Sequence, residues 1–161
     1  MKVFISYSTA LDQIIAFRLQ TMAAVYGMTV YVPPATSRHQ ATAALMPEVQ
    51  RELTESNVVL GVITQIPAPG AVNEMNFALA SGKLLIPIVS WTVPPEYYAR
   101  FPQHFVVNPA DPSQAEGQIV QFLLAQKEQT EKGTGKGTVA LLALATLAVA
   151  LLLFGSDSDS D

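Results

Sequence analysis

At 161 residues the chain has room for one compact domain and an appendage, not for two full domains. Half of it is hydrophobic and only 14% is charged, well below the usual quarter, and the shortfall sits mainly in a charge-free run between Lys136 and Asp157. A net charge of −4 argues against non-specific nucleic-acid binding, which needs a basic face, and the lack of cysteine excludes disulfides, thiolate nucleophiles and ordinary structural zinc. His39 and His104 are too few for a histidine metal cluster, so no metal site is expected.

The chain opens on Val3-Phe-Ile-Ser-Tyr, an apolar run suited to a buried strand. It shows neither the apolar core nor the small-residue cleavage site of a secretory signal, so the domain is expected to stay where it is synthesised. Thr9-Ala-Leu-Asp12 has the pattern of a capping box, with Asp in the acidic place. The helix it opens would turn Leu11, Ile15, Leu19, Met22 and Tyr26 inward and end at Gly27. Met28–Val32 follows as a second strand, stopped by Pro33-Pro34, and residues 33–46 read as a loop. Pro47 suits the first turn of a helix running to about Ser56, with Val49 and Leu53 inward. Glu48, Arg51, Glu52 and Glu55 form its solvated side, with an expected Arg51–Glu55 pair.

Asn57–Thr64 is the most β-rich run and gives the third strand. A Pro/Gly loop leads to a short helix from about Asn73 to Ser81, closed by Gly82. Leu84–Val89 is the fourth strand, whose Pro87 points to an edge or a bulge, and Phe105–Val107 is a weak fifth. Asp111-Pro112 forms an N-cap and first-turn pair for a helix burying Ile119, Phe122 and Leu123.

Residues 127–137 have the composition of a flexible polar linker. Thr138 to Gly155 carries no charge and no polar face; about 18 residues at roughly 1.5 Å each span about 27 Å, close to a hydrocarbon core. Lys127, Lys132 and Lys136 precede this run, and Asp157, Asp159 and Asp161 follow it. The expected organisation is therefore a soluble domain over 1–126, a linker over 127–137, a single transmembrane helix over 138–155 and an acidic tail over 156–161. The lysine bias places the N-terminal domain in the cytoplasm, with the lipid bilayer as a partner.

Alternating strands and helices with near-continuous apolar strands predict an α/β fold, a parallel sheet covered on both faces. Ligands in such sheets collect beyond the carboxyl ends of the strands, which directs attention to Ser6–Ser8, Val32–Arg38, Thr64–Glu74 and Ser90-Trp91. Within those stretches Tyr7, Ser8, Arg38, Asn73 and Trp91 are the candidate substrate-binding residues. Glu74 is the acid of the Thr64–Glu74 segment and the candidate catalytic residue, placed by this reading in the first turn of its helix, where the dipole favours its charge.

Several boxes in order resemble a bacterial Toll/interleukin-1-receptor (TIR) domain. Val3–Ser8 resembles the first box of that family, Gly27–Tyr31 its second strand, and the proline-rich loop after it the BB loop. Ser56–Thr64 resembles the third strand, and Glu74-x3-Ala78-x3-Gly82-Lys83-x2-Ile86-Pro87-Ile88 the catalytic-glutamate helix with the strand after it. The resemblance spans residues 1–126 and implies a TIR-like (flavodoxin-like) five-stranded parallel sheet flanked by helices. It also implies an NAD+ glycohydrolase or cyclase that cleaves the nicotinamide–ribose bond through Glu74, with NAD+ as substrate and no further cofactor. Such proteins act in antiphage defence as effectors or signal generators, activated by self-association and paired with other proteins of a defence system. Nicotinamide leaves as a neutral molecule and needs no general acid, so one carboxylate suffices to stabilise the oxocarbenium-like ribose. Two alternatives stand beside this reading: a non-enzymatic TIR adaptor that docks homotypically, and an enzyme like the nucleoside deoxyribosyltransferases, which also use a glutamate after a Gly-containing loop, as Gly70–Glu74 allows.

Overall fold

The computed structural model describes residues 1–35 and 45–132. The chain divides into two compact units, Met1–Leu123 and Leu124–Asp161. Five strands, β1 (Lys2–Ser6), β2 (Thr29–Tyr31), β3 (Val58–Ile63), β4 (Leu84–Ser90) and β5 (Phe105–Val107), alternate with helices α1 (Ala10–Val25), α2 (Pro47–Glu55), α3 (Pro69–Ala80) and α4 (Ser113–Glu131). The strands form one sheet in the order β2-β1-β3-β4-β5, every pair parallel. The expected five-stranded parallel α/β architecture is thus present.

The local signals explain most boundaries. Thr9 caps α1 and forms a full capping box with Asp12, and Gly27 and Gly82 follow α1 and α3 with φ of 68° and 65°, a conformation that costs glycine nothing. The buried face of α1 is turned from the expected one: Asp12, Ile15, Ala16, Leu19 and Ala23 point inward, while Leu11 and Tyr26 are exposed. Two alanines let the helix approach the sheet closely, and the inward Asp12 serves backbone donors described below. Pro87 lies in a strand with neighbours on both sides, but the ladder to β5 begins only at Ile88, so β4 is still an edge on that side at Pro87. The fourth helix begins at Ser113, one residue later than expected; Asp111 lies just ahead of it, its carboxylate accepting from the Ser113 amide and hydroxyl.

The expected Arg51–Glu55 pair is replaced. Lys2 Nζ sits 2.7 Å from Glu52 and 2.6 Å from Glu55, and Arg51 turns to Glu52 at 3.1 Å. Glu52, far from being a bare solvated acid, is the hub of this cluster, and its pKa is lowered, first by the hydrogen bond from Lys2.

Each face of the sheet has its own core. On one, Phe4, Val59 and Leu85 lie in register and pack with Val49 and Leu53 of α2 and Ala78 of α3. By strand alternation Val3, Ile5, Leu60, Ile86 and Ile88, all buried, serve the opposite face. Arg18 of α1 holds Glu116 of α4 in a two-pronged ion pair, both contacts at 2.8 Å.

In the second unit, residues 124–131 continue α4, with Lys127–Glu131 and Glu128–Lys132 contacts one turn apart. The linker expected from 127 therefore begins as helix, because these residues are good helix formers with complementary charges at i, i+4. The expected transmembrane segment 138–155 and tail 156–161 lie outside the described residues. Among the described residues no helix is long and apolar enough to cross a membrane.

Candidate functional site

The order β2-β1-β3 means that the chain leaves β1 toward one side of the sheet and returns at β3 to build the other. The crevice at such a switch point, at the carboxyl ends of the strands, is where doubly wound sheets take ligands. Here the switch point lies at the ends of β1 and β3.

The face beneath α3 narrows toward this end. Phe4, Val59 and Leu85 are followed two residues on by Ser6, Gly61 and Pro87, again in register. A side chain on Gly61 would collide with Met75, since a Cβ built there falls 2.7 Å from Met75 Sδ. The small row lets α3 lie close to the sheet and turns Glu74, the neighbour of Met75, into it. Glu74 is 1% exposed, and Ser6 Oγ donates to its Oε2 at 2.6 Å.

The turn after β1 fixes the loop that carries this acid. Asp12, fully buried, accepts from the Ser8 and Thr9 amides on Oδ2 and from the Thr64 amide and hydroxyl on Oδ1. Ser8 Oγ accepts from the amide of Ala68, the N-cap residue just ahead of α3, which makes no side-chain cap hydrogen bond. Ser6, Ser8 and Asp12 thus hold Glu74, Ala68 and Thr64 respectively, three contacts from one short segment to another. Sequence reading marked Asp12 only as a cap; its reach to Thr64 had no local signal, since the two are 52 residues apart.

Glu74 is not in the first helical turn. The helix begins at Pro69, so Glu74 is its sixth residue and the first turn holds no acid. Helix-dipole support fades within the first turn, and the Ser6 hydroxyl is a donor to the carboxylate there. Tyr31, in register with Phe4 and stacked on it at 5.6 Å, also belongs to this neighbourhood. Its pKa is raised, first by burial and then by the negative charge of Glu48, with Glu52 and Glu74 adding to it, so the phenol keeps its proton.

Tyr7 is buried, and its hydroxyl accepts from Gln13 Nε2 at 3.0 Å. Asn73 is half-buried and lines a cavity of about 370 Å³ with Gln50, Asn76 and Phe77. Trp91 is 71% exposed and lines a separate groove beside β5 and α4. Arg38 lies outside the described residues. No group of three or more metal-ligating side chains occurs among the described residues.

No family model and no curated protein matches the sequence. Solved structures of similar fold include a CMP N-glycosidase of Clostridium botulinum, at 16% identity and a TM-score of 0.48 over 76% of this chain and 98% of that one. They also include a putative quinone reductase of Klebsiella pneumoniae, at 12% identity and a TM-score of 0.45 over 81% and 84% of the two chains. The resemblance to TIR domains is corrected by these comparisons: no TIR model matches, and neither similar structure is a TIR domain. The boxes that suggested the family are segments any doubly wound sheet requires, namely apolar strands, the turn after β1, and a small-residue helix closed by glycine. The NAD+-cleaving effector and the adaptor lose the family argument together. What is left is the flavodoxin-like fold and the geometry around Glu74.

Proposed function

We propose that the chain cleaves the N-glycosidic bond of a nucleoside or nucleotide, in the manner of the nucleoside deoxyribosyltransferase-like enzymes, with Glu74 acting on the anomeric carbon. The observation that supports this reading is the buried Glu74 carboxylate, held by Ser6 at 2.6 Å where β1 and β3 part. A carboxylate screened from water is suited to stabilise positive charge developing on a ribose or deoxyribose. Asp12 already accepts four hydrogen bonds, so it is a structural acid, not a second catalytic one.

In this reading the reaction runs through Glu74 as nucleophile. The bond between the anomeric carbon and the base nitrogen breaks, its electron pair leaves with the base, and the base takes a proton from solvent. A Glu74 oxygen forms the new bond to the anomeric carbon. Water then adds at that carbon as its bond to the Glu74 oxygen breaks, the electron pair returning to the carboxylate, and the free sugar and one proton are released; a second base in place of water gives transfer. Ser6 keeps the attacking carboxylate in one orientation. Because Glu74 is 1% exposed, substrate binding includes a local opening at this end of the sheet.

The test is base release from a panel of ribo- and deoxyribonucleosides, their monophosphates and NAD+, followed by chromatography. Glu74→Gln should retain the fold by circular dichroism and lose activity by about 10²–10³-fold, the effect of removing one preorganised electrostatic group. Ser6→Ala should retain activity at a reduced kcat. Release of no base from any member of the panel, or equal rates for parent and Glu74→Gln, would falsify the assignment.

A further inference from the structure

A second cavity, of about 310 Å³, opens at the carboxyl ends of β4 and β5, on the same edge of the sheet as Glu74 but at its β5 end. Trp91, Val106, Asn108, Asp111, Gln114 and Gln118 line it. We propose that this groove binds an uncharged nucleobase or nucleoside, stacked on Trp91 and read by Gln114 and Gln118.

The ring is the first argument. Trp91 is 71% exposed at the mouth of a concavity, and a large aromatic face left open beside a groove is a platform for a planar π system. Val106, 53% exposed, extends the apolar floor. The second argument is the polar lining. Gln114 and Gln118 stand four residues apart on α4, hence on one face and roughly 6 Å apart. Each amide presents a donor and an acceptor side by side, the arrangement that pairs with a base edge through two hydrogen bonds.

Charge narrows the class further. No lysine, arginine or histidine lines the groove, and its one ionisable residue is Asp111. A phosphate would meet repulsion there and no counter-charge, so nucleosides and free bases fit where nucleotides do not. The rim is held in shape: Asn108 Oδ1 accepts from the Ala110 amide, and Asp111 Oδ1 from the Ser113 amide and hydroxyl. The volume is at the small end for ligand sites, adequate for one nucleoside and too small for a dinucleotide. This site stands on its own residues and does not depend on Glu74 being catalytic.

The chain contains a single tryptophan, so its intrinsic fluorescence reports on this groove alone. Titration of the full chain with cytidine, adenosine and free bases, excited at the red edge where these ligands do not absorb, should give saturable quenching. Dissociation constants of about 0.1–10 mM are expected for ligands of this size. Gln114→Ala/Gln118→Ala, both exposed positions, should weaken binding at least about tenfold, the loss of one paired base edge. The corresponding monophosphates should bind more weakly than the nucleosides, and Glu74→Gln should leave the titration unchanged. Absence of quenching by every base and nucleoside, equal quenching by ribose alone, or undiminished binding in the double glutamine variant overturns the proposal.

Discussion

Asp12→Asn separates a structural acid from a catalytic one and lets its cost be worked out bond by bond. In the parent, Oδ2 receives the Ser8 and Thr9 amides and Oδ1 the Thr64 amide and hydroxyl, all in a fully buried setting. Asparagine keeps one oxygen and puts an NH2 in place of the other. In its better orientation the NH2 faces Thr64, whose hydroxyl can rotate to accept, but the Thr64 amide then points at a donor. One buried N–H left unpaired costs about 1–3 kcal/mol, and turning two charge-assisted bonds into neutral ones adds roughly 1–2 kcal/mol. The total of about 2–5 kcal/mol is a large part of the 5–15 kcal/mol that a domain commonly has. For a domain of this size each kcal/mol shifts Tm by about 3–5 °C, so a fall of roughly 6–25 °C is expected. Thermal melts followed by far-UV circular dichroism at pH 7 read it directly. Thr9→Ala, which removes only the cap to the Asp12 amide at 3.1 Å, sets the scale at about 0.5–2 kcal/mol. A Tm for Asp12→Asn within about 3 °C of the parent would refute the claim that this carboxylate ties the ends of β1 and β3 together.

Gly61→Ala should destabilise by up to about 2.5 kcal/mol in urea: overpacking against Met75 costs about 1–3, and alanine's backbone returns about 0.5–1. Met75→Ala in the same chain should relieve the clash, and an equal penalty in both backgrounds would show that no clash exists. Lys2→Met should cost up to about 1 kcal/mol at neutral pH, since its partners are only partly buried. The pH dependence has two limbs. Glu52, with its pKa lowered, contributes fully above its unfolded value of 4.5 and loses that contribution as pH falls through the lower folded value. Lys2, with its pKa raised by the hydrogen bond to Glu52 and then that to Glu55, contributes fully below 10.5 and loses it as pH rises through the higher folded value. The Tm difference between parent and Lys2→Met should therefore be flat at neutral pH and shrink at both extremes; a difference that grows on acidification contradicts the pairing.

The secondary structure was legible because its signals are local. Thr9 and Asp12 mark the start of α1, Pro47 that of α2, Gly27 and Gly82 the ends of α1 and α3, and the apolar runs mark five strands. The one start misplaced by several residues, that of α3, fell in a Pro/Gly cluster where Pro69 at the first helical turn reads equally well as loop. Glu74 was legible as an acid at a strand end, but not as a buried acid on a serine: Ser6 and Glu74 are 68 residues apart, and their contact needs β1 beside β3 with Ser6 level with Gly61. The same holds for Ser8 on Ala68 and Asp12 on Thr64, at separations of 60 and 52 residues. It holds for Trp91, which shares its groove with Gln114 and Gln118 only because β5 pairs with the end of β4 and α4 follows it. The order of residues along the chain sets period, caps and turns through contacts within a few positions. Which acid is buried, against what, and beside which groove follows from strand order and register, set by packing across the whole sheet.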